Sequence, residues 1–311
     1  MGWTFSHSPA DFLRAAEPFL LAAPVENSVL LTVTDTLRRR GPSAYGEEPP
    51  VLGWWRPPAA GAADGDGDPD TPAVRAAFLR TPPHPPLLSR APAAAAAELA
   101  AAWAGEPLAE VRGDHEAVTA FAAAWSARAG AAYRVVERTR YHELGTLTPR
   151  VPGPPGHARI ADAADRELLI RWHEAADAEM GHGLPGRPTV ADDAILHGLR
   201  TLWIGPGGEP VAMAGRTLEV AGSVRVVAVY TPPEHRGRGY AAGAVTAVSQ
   251  AALDAGVHRV LLITDLANPV SNGLYHRLGY RPVRDGLRVA LGAGEGGEGR
   301  GVPRQERHAP A

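Results

Sequence analysis

A strand, a turn and a helix that follow one another without a break over residues 223–255 constrain this chain most. Residues 223–231 (SVRVVAVYT) are dense in β-branched residues, which is typical of a β-strand. Residues 239–255 are rich in alanine and contain no proline, which favours a helix. A strand that runs directly into a helix needs a sheet on which that helix packs. We therefore predict an α/β fold with a mixed central sheet flanked by helices.

The turn inside this unit, Arg236-Gly237-Arg238-Gly239-Tyr240-Ala241, has the chemistry of an anion site. Gly237 and Gly239 let the backbone curve so that its N–H groups point inward with no Cβ in the way. The helix start adds unsatisfied N–H groups and the positive end of a dipole. Arg236 and Arg238 add fixed charge suited to phosphate, and Ala241 keeps the first helical turn slim. The turn predicts a phosphate site, although a structural glycine turn would share its pattern.

Two other phosphate-binding patterns fit less well. A dinucleotide site reads G-x-G-x-x-G with an acidic residue about 20 residues on. Asp265, at the end of the next predicted strand, fits that acid loosely. The hairpin predicted over residues 202–219 argues against a doubly wound parallel sheet. The P-loop pattern fails because the chain contains no lysine; all 31 of its basic residues are arginine.

A second motif covers residues 265–280, after the apolar strand at residues 259–264. Asn268 and Ser271 lie at the predicted start of a helix, where their side chains either cap the helix or reach a ligand. Tyr275 follows Ser271 by four residues and so shares its helix face. The alternative for Tyr275 is a plain core aromatic. This motif gains weight from its position one helix after the glycine–arginine turn.

Composition shifts divide the chain. Residues 149–156 (PRVPGPPG) predict a stiff linker between a domain at residues 1–148 and a domain at residues 157–291. Residues 292–311 predict a disordered tail, and residues 57–72 a flexible loop. The second domain has the predicted order β-α-α-β-β-β-α-β-α-β. The first shows a blurred version of it, with a helix at residues 10–23, a strand at 28–37 and a last strand at 132–144.

Composition also excludes several classes of function. The net charge of −3 gives no reason to expect nucleic acid or an anionic membrane as partner. The absence of cysteine excludes disulfides, thiolate metal sites and a cysteine nucleophile. The 12 histidines show no metal-ligand spacing, so we expect no metal. No apolar run approaches the roughly 20 residues that span a bilayer, and we expect a cytoplasmic protein with no indicated oligomer.

The two motifs together resemble the GNAT superfamily of acyl-CoA N-acyltransferases. Its pattern Arg/Gln-x-x-Gly-x-Gly/Ala after the fourth strand is matched by residues 236–241. Its pattern Asn-x-x-Ser-x-x-x-Tyr, followed by Gly and an aromatic residue, is matched by residues 268–280. The chain also resembles the two-lobed members, whose first lobe is a degenerate copy. Residues 88–93 (LSRAPA) stand where that lobe would carry the turn, and they contain no glycine.

The resemblance implies an N-acetyltransferase in which acetyl-CoA is attacked directly by a primary amine of a small molecule or peptide. It implies that Tyr275 lies beside the CoA sulfur and acts as the acid. Glu219 is our candidate base, with Asp265 and Glu234 weaker, and an ordinary hairpin-end carboxylate is an equal interpretation of it. A non-catalytic acyl-CoA-binding sensor or scaffold is the alternative function. The residues implied to bind acetyl-CoA are Val227, Val229, Thr231, Arg236, Gly237, Arg238, Gly239, Tyr240, Ala241, Asn268 and Ser271.

Overall fold

The computed structural model describes residues 2–58, 72–104, 108–180 and 188–292. The loop predicted at residues 57–72 and the tail predicted from residue 292 fall almost entirely outside these ranges. Residues 105–107 and 181–187 also lie outside these ranges.

The first half of the chain contains six strands and four helices within these ranges. The strands are β1 (Trp3–Ser6), β2 (Val51–Trp55), β3 (Ala76–Arg80), β4 (Leu87–Leu88), β5 (Glu110–Asp114) and β6 (Tyr133–Leu144). The helices are α1 (Pro9–Leu21), α2 (Ser28–Arg40), α3 (Ala93–Ala102) and α4 (His115–Ala129).

The second half also contributes six strands and four helices to the described fold. The strands are β7 (His157–Ile160), β8 (Arg200–Ile204), β9 (Pro210–Arg216), β10 (Ser223–Tyr230), β11 (Arg259–Asp265) and β12 (Tyr280–Leu291). The helices are α5 (Arg166–Glu179), α6 (Pro188–Leu196), α7 (Tyr240–Asp254) and α8 (Pro269–Leu278). The predicted order of elements in this half is confirmed, with residues 280–291 forming one strand.

All twelve strands form one sheet, in the order β1-β2-β3-β4-β5-β12-β6-β11-β10-β9-β8-β7. The two halves exchange their last strands. β6 lies between β11 and β12 of the second half, and β12 pairs with β5 of the first half. The predicted division at residues 149–156 therefore separates the halves along the sequence but does not divide the sheet.

Each half covers both faces of its part of the sheet with a pair of helices. In the first half α1 and α2 pack on β2 and β3 around Phe12 and Leu30, while α3 and α4 pack on the opposite face around Phe121. In the second half α5 and α6 pack on β8 and β9 around Trp172. α7 and α8 cover the other face around Val245.

The strand predicted at residues 28–37 is wrong, because this segment is helix α2. Its Val and Thr content favours a strand, but its buried Leu30, Thr34 and Leu37 recur at helical spacing and face α1 and β2. The Thr32 hydroxyl donates to the Ser28 carbonyl at 2.8 Å, which satisfies that hydroxyl inside a helix. Tertiary packing has overridden local strand propensity.

Candidate active site

A wedge-shaped opening between β10 and β11 is the main feature of the second half. The two strands run parallel and pair only over residues 223–225 with 259–261. Beyond that point β10 continues along β9, whereas β11 continues along β6. The carboxyl-terminal half of β10 therefore turns one edge of its backbone toward the opening and leaves it out of the ladder.

A β-bulge at Ala228 shapes this edge. Val227 pairs with Gly215 and Tyr230 with Met213, so β10 has one residue more than β9 over this stretch. Ala228 takes that extra place with φ of +52°, a backbone conformation that residues other than glycine seldom adopt. Strain of about 1–2 kcal/mol at such a position is typical of functional sites. The bulge changes the direction in which the backbone N–H and C=O groups of Val227 and Val229 point beside the opening.

The glycine–arginine turn leads from this edge to the start of α7. Gly237 and Gly239 both have left-handed φ, +76° and +85°. Gly239 is the N-cap of α7 and has no side chain to satisfy the first N–H groups of the helix. A Cβ at Gly237 would meet nothing within 4 Å, so the turn is open on that side. The open turn and the uncapped helix start make a backbone cradle for an anion.

The two arginines of the turn do different things. The Arg236 guanidinium donates to the Thr231 carbonyl at 2.9 Å and pairs with Glu179 of α5 at 2.6 Å. It therefore fastens the turn to the end of β10 and to α5, and its charge is partly neutralised. Arg238 is exposed on the turn. Arg238 is the better placed of the two to meet a phosphate.

The linker supplies a third arginine that the sequence analysis missed. A Cβ at Gly239 would lie 2.5 Å from Nη1 of Arg150, so this guanidinium is beside the helix start. Pro154 packs against Gly243 in the first turn of α7, and the Trp203 indole donates to the Pro155 carbonyl at 3.1 Å. These contacts hold the linker across the cradle. The sequence signal was one arginine in a proline-rich linker, and only the fold shows where it lies.

Tyr240 and Ala241 follow the cradle in the first turn of α7. The Tyr240 ring is buried against Val211 and Ala212. Ala241 remains partly exposed. In the predicted phosphate site, Tyr240 and Ala241 would therefore contribute their backbone N–H groups.

Tyr275 lies in the core between α7, β10 and β11, and only 8% of it is exposed. Its ring meets that of Tyr280 edge-on at 6.0 Å. Burial, with a smaller effect of Tyr280, raises the pKa of Tyr275, so its hydroxyl stays protonated at neutral pH. The described residues offer this hydroxyl no hydrogen-bond partner, whereas the Tyr280 hydroxyl is 2.7 Å from the Ser249 hydroxyl.

Asn268 and Ser271 are brought to the mouth of the same opening. The Asn268 side-chain oxygen accepts the Ser271 N–H at 3.0 Å, so Asn268 is the N-cap of α8. Its side-chain NH₂ group takes no part in this cap, and Asn268 is exposed. Nearby, the buried Thr264 hydroxyl and the Thr231 hydroxyl at the end of β10 lack partners among the described residues. Polar atoms of this kind suit a ligand that carries amides and hydroxyls, as the pantetheine arm of CoA does.

Glu219 is not brought to this site. It is exposed in the turn between β9 and β10, next to Val220, which packs against the first half of the chain. From Ser223 to Val229 the strand alone spans roughly 20 Å at about 3.3 Å per residue. The Asp265 carboxylate accepts the Ala267 N–H at 2.8 Å and thus stabilises its own turn.

Over the described ranges, no three His, Cys, Asp or Glu side chains are grouped as a metal site would need. Within the same ranges, none of the helices is both long and apolar enough to cross a bilayer.

Comparisons with known proteins agree with this geometry. Residues 166–280 match the model of the Acetyltransferase (GNAT) family. A search of curated proteins finds no match.

Similar solved structures extend over nearly the whole chain. One is a GCN5-related N-acetyltransferase from Sphaerobacter thermophilus, at 17% identity, with 94% of this chain and 96% of that one covered and a TM-score of 0.58. A GNAT-family acetyltransferase from Colwellia psychrerythraea matches at 10% identity, 94% and 100% coverage and a TM-score of 0.55. A tandem GNAT protein from the clavulanic acid biosynthesis pathway matches at 14% identity, 95% and 100% coverage and a TM-score of 0.55. At these identities the likeness establishes a shared two-lobed fold.

Proposed function

We propose that residues 166–280, which match the model of the GNAT family, transfer an acetyl group from acetyl-CoA to a primary amine of a small molecule or peptide. The observation that carries the proposal is that three features lie together in the second half of the chain. The wedge beside β10, the uncapped start of α7 and the buried hydroxyl of Tyr275 adjoin one another. A thioester with a long arm and a diphosphate has that shape.

Each feature has a part in the proposed reaction. The backbone N–H groups at Gly237 and Gly239, with Arg238 and Arg150, bind the diphosphate. Backbone groups of β10 beyond the bulge orient the arm, and the N–H near Val229 stabilises the negative charge that develops on the thioester oxygen. The amine nitrogen forms the C–N bond as the C–S bond breaks, and Tyr275 donates a hydrogen bond to the departing sulfur. The proton that the amine gives up to solvent balances the proton that the thiolate takes up to become the CoA thiol. Glu219 has no part in this scheme, because it lies at the other end of β10.

The cradle is tested by a pair of glycine variants with matched strain. Gly237→Ala places a methyl group in the open side of the turn, where φ is +76°. Gly256→Ala, at the far end of α7, has φ of +81° and equally open surroundings. Both substitutions should destabilise the fold by about 1 kcal/mol, because each forces alanine into a left-handed conformation. Only Gly237→Ala should weaken acetyl-CoA binding, by roughly tenfold or more, measured by titration calorimetry.

Transfer itself is tested by release of free CoA thiol with a panel of amines. Thiol release that requires both acetyl-CoA and an amine supports the proposal. Acetyl-CoA binding without transfer to any amine would instead favour the non-catalytic sensor. Normal binding by Gly237→Ala would show that the cradle is misassigned.

A further inference from the structure

A buried arginine lies on the face of the sheet opposite α7, close to the bulge. Arg200 of β8 pairs in register with Gly215 of β9, which pairs in turn with Val227 of β10. A Cβ at Gly215 would lie 2.5 Å from Nη1 and 2.7 Å from Cδ of Arg200. The Arg200 side chain therefore fills the space that the missing side chain leaves. Its guanidinium therefore lies over β9. The residue of β10 that pairs with Gly215 is Val227, which directly precedes Ala228.

Among the residues that the structure describes, none pairs its charge with that of Arg200 in a salt bridge. Only 6% of Arg200 is exposed. Its Nε donates to Nε2 of His173 at 3.2 Å and its Nη1 to the Leu199 carbonyl at 3.0 Å. Burial, and then the charge of Arg200, lowers the pKa of His173 to about 4, so this imidazole is neutral at pH 7.

The carboxylate that acts on Arg200, that of Asp193, is already paired with another arginine. Among the described residues, Asp193 is the only carboxylate that raises the pKa of Arg200, which burial lowers to about 10. The Asp193 carboxylate pairs with Arg40 of α2 at 3.1 Å. A buried charge held by neutral partners is unfavourable unless a ligand completes the pair. Such groups cluster at binding sites.

The position of Arg200 also suits a ligand at the reacting centre. The guanidinium lies above Gly215, about 4.8 Å from β10 across the sheet. Val229 is two residues beyond Val227, about 6.6 Å along the strand. These two legs place the guanidinium about 8 Å from the backbone that would hold the thioester carbonyl. Because the guanidinium also stands above the plane of the sheet, this separation suits an acceptor that carries a carboxylate at one end and an amine at the other.

We propose that Arg200 binds the carboxylate of the acceptor, so that the acceptor is an amino acid. This inference rests on the proposed acetyl transfer and names the class of its acceptor. His173 is a positioning residue, because it orients the guanidinium without neutralising it. Gly215 leaves room for the guanidinium because it has no side chain.

The experiment compares amino acids with the amines that lack only the carboxylate. Wild-type protein should acetylate the amino acid with a kcat/KM about 100-fold higher. Arg200→Met should erase that preference by lowering kcat/KM for the amino acid and leaving the decarboxylated amine unchanged. Arg171→Met is the matched control, because it removes one exposed arginine from α5 and should leave the preference intact.

A binding readout keeps the inference testable apart from turnover. With CoA present, an N-acetyl amino acid should bind the wild type about 100-fold more tightly than Arg200→Met, measured by calorimetry. Loss of a buried, unpaired charge should leave the melting temperature unchanged or raise it, whereas a purely structural Arg200 would lower it. If Arg200→Met does not fold, Arg200→Lys keeps the charge without the fork of donors and should retain part of the preference.

Several results would overturn the inference. Equal use of both acceptors by the wild type would remove the carboxylate from recognition. A preference that survives in Arg200→Met would place the carboxylate elsewhere. A carboxylate requirement met by succinyl-CoA, with plain amines then accepted, would assign Arg200 to the acyl donor. In each case acetyl-CoA would still bind, whereas failure to bind acetyl-CoA would refute the proposed function itself.

Discussion

Replacing Tyr275 by phenylalanine should lower kcat while leaving both stability and acetyl-CoA binding close to wild type. Phenylalanine keeps the ring in the core between α7 and β11 and removes only the hydroxyl. A thioester sulfur is a poor acceptor in the ground state, so little binding is lost. As the C–S bond breaks, charge grows on sulfur and the same hydrogen bond becomes charge-assisted. An interaction made mainly in the transition state appears in kcat.

The size of the effect follows from the surroundings of the hydroxyl. A general acid contributes roughly 10²–10⁴-fold, but a thiolate leaves easily, so we expect a loss of about 10²-fold or less. The Tyr275 hydroxyl has no partner among the described residues, so its removal should change the free energy of unfolding by less than about 1 kcal/mol. Burial raises the pKa of Tyr275 above its ordinary value of 10.0. Its protonated form, and hence its contribution to kcat, should persist throughout the range below pH 10.

Tyr280→Phe is the matched control. Tyr280 is fully buried in the same cluster, but its hydroxyl bonds to Ser249 at 2.7 Å. Its loss should destabilise the fold by about 1 kcal/mol and leave kcat unchanged. The assays are steady-state kinetics, acetyl-CoA titration and urea unfolding of both variants. If Tyr275→Phe loses stability and keeps its kcat, Tyr275 is a packing residue and the reasoning is refuted.

Four further outcomes are expected. Arg150→Ala should weaken acetyl-CoA binding by about 3–10-fold at low salt and less at high salt, with unchanged unfolding, because this arginine is exposed; a salt-independent loss would contradict direct phosphate contact. Calorimetry should give one CoA per chain, unaffected by Arg90→Ala; two sites would show that the first half also binds CoA. Ala228→Ile should abolish transfer and destabilise the fold by at least about 2 kcal/mol, whereas Ala228→Gly tolerates φ of +52° and should keep both; equal behaviour of the two would refute a strained bulge. A fragment of residues 149–311 should lack a cooperative unfolding transition because it loses β6; a cooperative transition would show that β11 and β12 pair without it.

The sequence analysis predicted the second half well because its signals are local. The run from β10 through the glycines to α7 has strand, turn and helix chemistry in the right order, and each element forms where expected. Asn268 is an N-cap because its side chain reaches an N–H three residues on. Signals of this range depend only on neighbours in the chain.

Where the sequence analysis failed, long-range packing decided the outcome. Residues 28–37 form a helix because Leu30 and Leu37 find apolar partners on α1 and β2. Glu219 was chosen for its place at a strand end, but the wedge opens at the other end of β10. The exchange of β6 and β12 leaves no trace in either strand, because the main-chain hydrogen bonds that join a strand to its neighbour do not depend on its sequence.

The strand exchange gives the first half of the chain a physical role in the proposed site. Its counterpart of the glycine–arginine turn, residues 88–93, contains no glycine, and Gly113 of β5 packs tightly on the backbone of Leu88 in β4. Its strand β6 nonetheless occupies the edge of β11 that faces away from β10. With that edge paired, β11 is held in the sheet while it diverges from β10. The wedge that we propose as the acetyl-CoA site is thus maintained by a strand from the half that we expect not to bind it.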